Sequence, residues 1–296
     1  MPAKQIKKHK NRLELLDFII HTTLITLVVL ILYPVLHIVS VSLSSTVAYR
    51  QGISFYPKDI DISAYRSIFA AGNVMNGFKN SVNYTVLGTI INVICTSMVG
   101  FALSRPRLAF RKFYMIYVMI PMYFGGGLIP SYLNVINLGL YNTIWAMVLP
   151  GAIAVWNLII MRTFFASIPL ELDESAHVDG AGDITIFLRI IIPVAKAGIA
   201  TIALFYLSSH WNSWFAAMIY LREVDKYPLQ LLIRRIVMEE FLAQELSALH
   251  GMNDQPVTQD AIKYATIVIG IMPMLLVYPF IQKYFVKGVM IGSLKG

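Results

Sequence analysis

Charge is scarce in this chain. Lys, Arg, Asp and Glu together make 14% of its 296 residues, against about 25% in an ordinary soluble domain. Cysteine is scarcer still. Cys95 stands alone in an apolar segment, which excludes an internal disulfide and any cysteine-based metal centre. Catalytic signatures are missing as well: there is no H-E-x-x-H, no G-x-S-x-G elbow and no G-x-x-x-x-G-K-[ST] phosphate loop. The glycine triplet Gly125–Gly127 lacks the lysine such a loop requires, and the six histidines are scattered over separate segments. Asp17 stands near the start of the first long apolar run, and no carboxylate lies deeper in any of them, where it would mark a proton relay. That argues against proton-coupled transport.

What the chain has is apolar length. Hydrophobic residues make 57% of it and its mean hydropathy is +0.66. A bilayer core takes about 20 apolar residues per helix, and six runs qualify, at about 15–40, 81–104, 113–135, 142–165, 194–221 and 261–285. The reading is an all-α integral membrane protein of one domain. The first run is too long for a signal-peptide core and lacks a small-residue cleavage site. Lys4, Lys7, Lys8, Lys10 and Arg12 flank it, and Arg105, Arg107, Arg111 and Lys112 form a second basic turn. Six spans with both termini cytoplasmic place fifteen of the 24 Lys and Arg inside, so the net charge of +8 reflects basic inner loops facing membrane lipid, not nucleic acid.

Segments 41–80 and 222–260 are then extracytoplasmic. The first holds a candidate short helix at Ile62–Ala70. The second holds an amphipathic one, with Ile233, Ile236, Val237, Phe241 and Leu242 at helical spacing. Pro121, Gly125–Gly127 and Pro130 break the third run, so Tyr123–Leu138 reads as a re-entrant or outer-leaflet loop. Polar Asn83, Thr85, Thr89 and Asn92 in the second run are expected to hydrogen-bond to neighbouring helices. His21 and His37, lone in the first run, read as packed or interfacial.

The long polar interruption at 166–193 has an order of its own. Pro169 suits a first helical turn, and Glu171, Asp173 and Glu174 favour that helix's positive end. Gly180 supplies a left-handed stop. Asp183 can cap a second helix, running through Phe187 and Arg189 until Pro193 breaks it. The product is a compact helix–elbow–helix knob.

Here the chain resembles a known family. Glu174-x-Ala176-x-x-Asp179-Gly180-Ala181, followed by Phe187, Ile190 and Pro193, is similar to the cytoplasmic EAA loop of binding-protein-dependent ABC importer permeases, in their maltose-type oligosaccharide branch. Ser175 replaces that pattern's first alanine, and Ala197 stands where a second proline is usual. The resemblance implies a type I importer permease fold in a bacterial cytoplasmic membrane. It also implies a second homologous permease, two ATP-binding subunits and an extracytoplasmic solute-binding protein. ATP, with magnesium, would sit on those partner subunits; this chain would bind no cofactor and carry no ATPase site. Glu174, Ala176, Asp179, Gly180, Ala181, Phe187 and Pro193 would couple it to the ATPase. The ending Gly288–Gly296 resembles a tail that reaches between ATP-binding subunits, through Gly292, Lys295 and Gly296.

Tyr206–Tyr220 is the other dense polar constellation. At 100° per residue Tyr206, Ser209, His210, Ser213 and Trp214 share an arc. Ring faces and hydrogen-bonding groups suit a sugar in a transport pathway. Helix–helix hydrogen bonding with an outer aromatic belt uses the same residues. The expected function is the permease subunit of an ATP-driven oligosaccharide importer. A permease for a non-sugar solute and a self-sufficient secondary transporter are the alternatives.

Overall fold

The computed structural model describes residues 3–45, 56–70, 72–249 and 258–293. Among them there is no strand beyond one isolated bridge between Ser44 and Ile60. The chain divides into two compact units. One is Met1–Ala70 with Glu240–Ile269, the other Ala71–Glu239 with Gly270–Gly296.

In the first unit α1 runs over Ala3–Ser42, straight through Pro34, and its part from Leu16 to Ser42 is long and apolar enough to cross a membrane. Its large side chains from Leu16 to Tyr33 are exposed, the surface a lipid-facing helix presents. His21 Nδ1 lies 2.6 Å from the Asp17 carbonyl of its own helix on an exposed face, whereas the His37 ring meets Tyr264 edge-on at 6.3 Å and is packed. The short helix α2 spans Ser63–Ala70. Asp61 caps it by accepting from the Ser63 N–H and hydroxyl, both at 2.8 Å, and Tyr65 OH meets Ser42 Oγ at 2.8 Å.

The second unit is built on α3, Asn73–Ser104. It starts about two turns earlier than hydropathy suggests, because its polar first turns have tertiary partners. Asn80 Nδ2 donates to the Asp225 carbonyl at 2.6 Å, and Tyr84 OH to that of Lys226 at 2.7 Å. Next come α4, Arg111–Tyr123, and α5, Leu128–Asn137, bent by 114°. The expected loop at Tyr123–Leu138 is therefore mostly helix, with only 124–127 irregular. Pro121 lies inside α4. Pro130 sits in the first turn of α5, where its missing N–H leaves no bond unmade.

The expected fourth run, 142–165, is also divided, into α6, Ile144–Val148, and α7, Val155–Ala166. Pro150 cannot continue a helix, and neighbours satisfy the backbone groups its turn frees. Asn92 Nδ2 donates to the Gly151 carbonyl at 3.0 Å, and the Ala154 N–H donates to Tyr206 OH at 3.0 Å. The polar interruption holds α8, Glu171–Val178, and α9, Asp183–Val194.

The fifth run begins only at α10, Lys196–Trp211, bent by 85° from α9, and breaks again before α11, Trp214–Tyr220. The second break follows from local competition for backbone groups. Asn212 Nδ2 bonds the Ser208 carbonyl at 2.8 Å, and Ser213 Oγ that of His210 at 2.7 Å. At the start of α6, Asn142 adopts φ 59°, a left-handed position asparagine tolerates. Its N–H donates to the Tyr220 carbonyl at 2.8 Å and its Nδ2 to Glu223 Oε1 at 2.7 Å, fastening 220–223. Two long helices close the chain: α12, Leu229–Leu249, and α13, Thr258–Ser293, each shared between the two units. The amphipathic helix thus starts earlier than expected, at Leu229, which is fully buried with Leu231 and Leu232 beside it. The last helix continues past 285 to Ser293.

By length and composition, Leu16–Ser42, Asn73–Ser104 and Ala261–Pro279 can each cross a membrane, and the count reaches six if each bent helix pair is one span. One such pair joins α7 to α8, which carries Glu171, Asp173 and Glu174 in its first turn and is too polar to be part of a crossing.

α3 packs chiefly on α7 and α10, through small and polar residues. Ser81 Oγ accepts the Leu229 N–H at 2.8 Å, Asn92 Nδ2 meets His210 Nε2 at 3.1 Å, and Thr96 Oγ1 meets Tyr206 OH at 2.6 Å. Of the four polar positions expected to bond across helices, Asn92 does so. Asn83 is exposed, and the buried Thr85 and Thr89 hydroxyls have no partner among the described residues. Gly88 faces the His210 ring so closely that any Cβ there would overlap it. Gly88→Ala should therefore lower stability by about 1–3 kcal/mol, the usual cost of overpacking. Thermal unfolding of the detergent-purified protein measures it, and the loss should shrink in a Gly88→Ala/His210→Ala double variant.

Candidate coupling site

The knob at 167–195 is shaped first by its own backbone. α8 ends in a Schellman closure: the Gly180 N–H donates to the His177 carbonyl at 3.0 Å, and the Ala181 N–H to the Ala176 carbonyl at 2.9 Å. That closure needs a left-handed residue, and Gly180 has φ 80° with open space around it. Asp183 does not cap the second helix. Gly182 occupies that position, and the Asp183 carboxylate instead forms an ion pair with Arg107, with His177 Nε2 3.5 Å away.

Pro193 does not end α9 either. Phe187–Ile191 form a π turn, closed by the Ile192 N–H on the Phe187 carbonyl, and the helix continues to Val194 before the bend at Ala195. The wide turn has a packing consequence. In a regular α-helix, residues five apart point about 140° away from each other. Here Ile186 and Ile191 are both fully buried in one core with Ala176, Phe101, Met161, Phe165 and Ile202. Phe187 and Ile190 lie at the edge of that core, where the Phe187 ring sits 5.1 Å from Phe101 and 6.4 Å from Phe165.

Beneath the knob is an ion pair that sequence reasoning did not find. Arg105 Nε lies 2.9 Å from Asp173 Oδ2, with side chains 3% and 5% exposed. The guanidinium also rests over the Phe101 ring at 4.8 Å. Arg105 reads in the sequence as one of four basic flanking residues, and Asp173 as one of three acids at a helix start. Only Asp173 is turned inward, one residue from the exposed Glu174. Burial lowers the Arg105 pKa from its ordinary value, against the opposing pull of Asp173. The guanidinium stays charged at neutral pH, and the pair ties the end of α3 to α8.

The knob's outer face combines acid with apolar surface. Glu171, Glu174, Asp179 and Gly180 are exposed, and so are Val178, at 87%, and Ile184, at 76%. Of the residues expected to couple, Glu174, Asp179, Gly180 and Pro193 lie on the exposed surface, Ala181 and Phe187 are half-buried, and Ala176 is buried. Gly292 falls in the last turns of α13, so the expected tail is helical up to Ser293; Lys295 and Gly296 lie outside the described residues.

The constellation expected on one arc of a fifth span is split by the break after Trp211. Tyr206 and His210 are buried between helices, bonded to Thr96, Ala154 and Asn92. Ser209 is exposed, Ser213 is turned to its own helix, and Trp214 lies half-buried under the Arg234 guanidinium at 3.7 Å. Helical periodicity could not bring these five together once the helix itself was interrupted.

Long apolar helices joined by a ladder of buried side-chain hydrogen bonds, with a polar helical knob packed under them, define a multi-pass membrane protein. The chain belongs to the family of binding-protein-dependent transport system inner membrane components, whose family model matches residues 86–291. It is 39% identical over 289 residues to the polygalacturonan/rhamnogalacturonan transport system permease protein YtcP of Bacillus subtilis (strain 168), covering 97% of this chain and 100% of that one. Protein LplC of the same organism is 38% identical over 266 residues, 89% of each chain. A crystal structure of a bacterial ABC transporter involved in the import of the acidic polysaccharide alginate contains a chain with the same fold. Its TM-score is 0.83 at 33% identity, over 92% of this chain and 97% of that one.

Removing one member of a buried ion pair strands the other, at about 3–5 kcal/mol. Asp173→Ala should therefore loosen the knob, seen as faster proteolysis within 167–195 and a lower unfolding temperature. Arg105→Met/Asp173→Leu, which removes both charges, should recover most of that loss.

Proposed function

We propose that this chain is the transmembrane subunit of an ATP-driven importer for oligosaccharides or related glycans. The knob is its contact with an ATP-binding subunit. The observation that carries the reading is the knob's construction. Its inner side is locked by a buried ion pair and an aliphatic core, while its outer side leaves Val178 and Ile184 bare among acids. Apolar side chains that exposed, set among charged groups, fit a protein partner better than water. A rigid lever fixed to α3, α7 and α10 passes movement of that partner to the helices, because packed cores shift as units.

In this reading six crossings place both termini and the knob in the cytoplasm. A second homologous permease completes the pathway, and a solute-binding protein delivers the sugar from outside. The exposed Ser209 and the ring of Trp214 are this chain's candidate pathway groups. Tyr206 and His210 support them from within the helix packing. The glycan class rests on the relatives, whose names specify polygalacturonan, rhamnogalacturonan and alginate.

A substitution series at Gly180 tests the lever. Asparagine visits the left-handed region and β-branched residues do not. Gly180→Asn should retain most transport. Gly180→Val should abolish it at normal membrane abundance, with less ATP-binding subunit co-purifying. Equal transport by the two variants would remove the knob from the mechanism. Orientation is tested separately, in a Cys95→Ser background. A cysteine at Asp225 should react with an impermeant thiol reagent added outside whole cells, and one at Ser175 only after the membrane is opened.

A further inference from the structure

The last turn of α3 leaves carbonyls that its own helix cannot satisfy. One of them, Leu103 O, accepts from Arg111 Nε at 2.9 Å and from Arg162 Nε at 3.3 Å. Two guanidinium groups are thereby held with their Nε atoms no more than about 6 Å apart, the sum of those distances. Each keeps N–H donors beyond the one used on Leu103. Lys112 stands beside them, and the three cations share the wall of one cavity of about 750 Å³. No ion pair among the described residues involves Arg111, Lys112 or Arg162. The neighbouring basic residues differ in this respect, since Arg105 meets Asp173 and Arg107 meets Asp183.

The remaining wall is apolar, with Phe110, Met115 and Ile116. Phe110 takes a left-handed φ of 55°, and its ring is 80% exposed. None of α4, which begins at Arg111, is buried, and Phe113, Ile116 and Tyr117 are each more than 60% exposed. Hydrocarbon is the environment such a helix requires. Three cations grouped without an acid, opening onto that surface, match a molecule with an anionic head and apolar chains.

We propose that this cavity binds an anionic phospholipid, its phosphate on Arg111, Lys112 and Arg162 and its acyl chains along Phe110, Met115 and Ile116. A soluble phosphate would leave the apolar wall uncovered. Basic pockets between helices at a membrane face are known to recognise such headgroups. The bound lipid fastens the start of α4 to α7, beside the carbonyl where α3 ends.

The test uses the complete importer, purified with its partner subunits into nanodiscs of phosphatidylcholine containing a minor fraction of phosphatidylglycerol. Native mass spectrometry counts the phosphatidylglycerol retained. The wild-type complex should retain it in excess of its share of the disc. Lys112→Gln, at an exposed site, should reduce retention roughly fivefold, and Arg111→Gln/Lys112→Gln should reduce it further. Arg111→Lys, which keeps the charge, should stay near wild type. Unchanged retention in the Gln variants overturns the proposal. Displacement of the lipid by inorganic phosphate would make this a free-anion pocket. Loss of a protein subunit, in place of lipid, on Lys112→Gln would make it a protein interface. Either of those outcomes also overturns it.

Discussion

In an apolar solvent every backbone N–H and C=O must find a partner within the protein, and the second unit is organised by that demand. Its helices are interrupted repeatedly, at 124–127, 149–154, 195 and 212–213, and each break frees polar groups. α3 is the long uninterrupted element of this unit, and at the 149–154 break its polar side chains supply what is lacking. Asn92 reaches the Gly151 carbonyl and His210, while Thr96 holds the Tyr206 hydroxyl that in turn accepts from Ala154. Small residues on α3 let these partners approach closely, as helix association in lipid generally requires.

The knob answers a different demand. Its outer face carries exposed acids, while its inner face is packed on the helices. Its rigidity has three sources of different reach: a glycine closure within α8, a π turn that aims Ile186 and Ile191 at one core, and the Arg105–Asp173 pair. The first is local, the second is set within α9, and the third spans the fold. A buried ion pair is weak evidence for stability, because desolvation offsets much of its attraction. Its contribution here is registry: Asp173 finds a partner only when α8 sits in one orientation under α3.

The same end of α3 organises the basic groups around it. Arg105 and Arg107 are matched by acids of the knob, and Arg111 and Arg162 share the Leu103 carbonyl. Arg105 and Arg107 therefore face protein acids, while Arg111, from the same stretch of chain, joins Arg162 of α7 beside an apolar wall. Counting positive charges, as topology assignment does, treats them alike.

Membrane class and family were legible in the sequence, because hydropathy and the Glu174–Pro193 pattern depend on neighbours along the chain. So was the left-handed elbow, since Gly180 followed by a small residue after an acidic helix is a local signal. Continuity of the spans was not legible. Pro34, Pro121, Pro273 and Pro279 all lie inside helices, whereas Asn212 and Ser213 break one by bonding the Ser208 and His210 carbonyls, and residue propensity alone ranks them the other way. The polar arc at Tyr206–Trp214 failed for that reason. The Arg105–Asp173 pair and the shared carbonyl at Leu103 join residues far apart in the chain, and no spacing rule connects them. Composition and local pattern determined what kind of protein this is and where its knob bends. Only the packing of α3 against α7, α8 and α10 decided which charges are buried, because burial is a property of what lies across the contact.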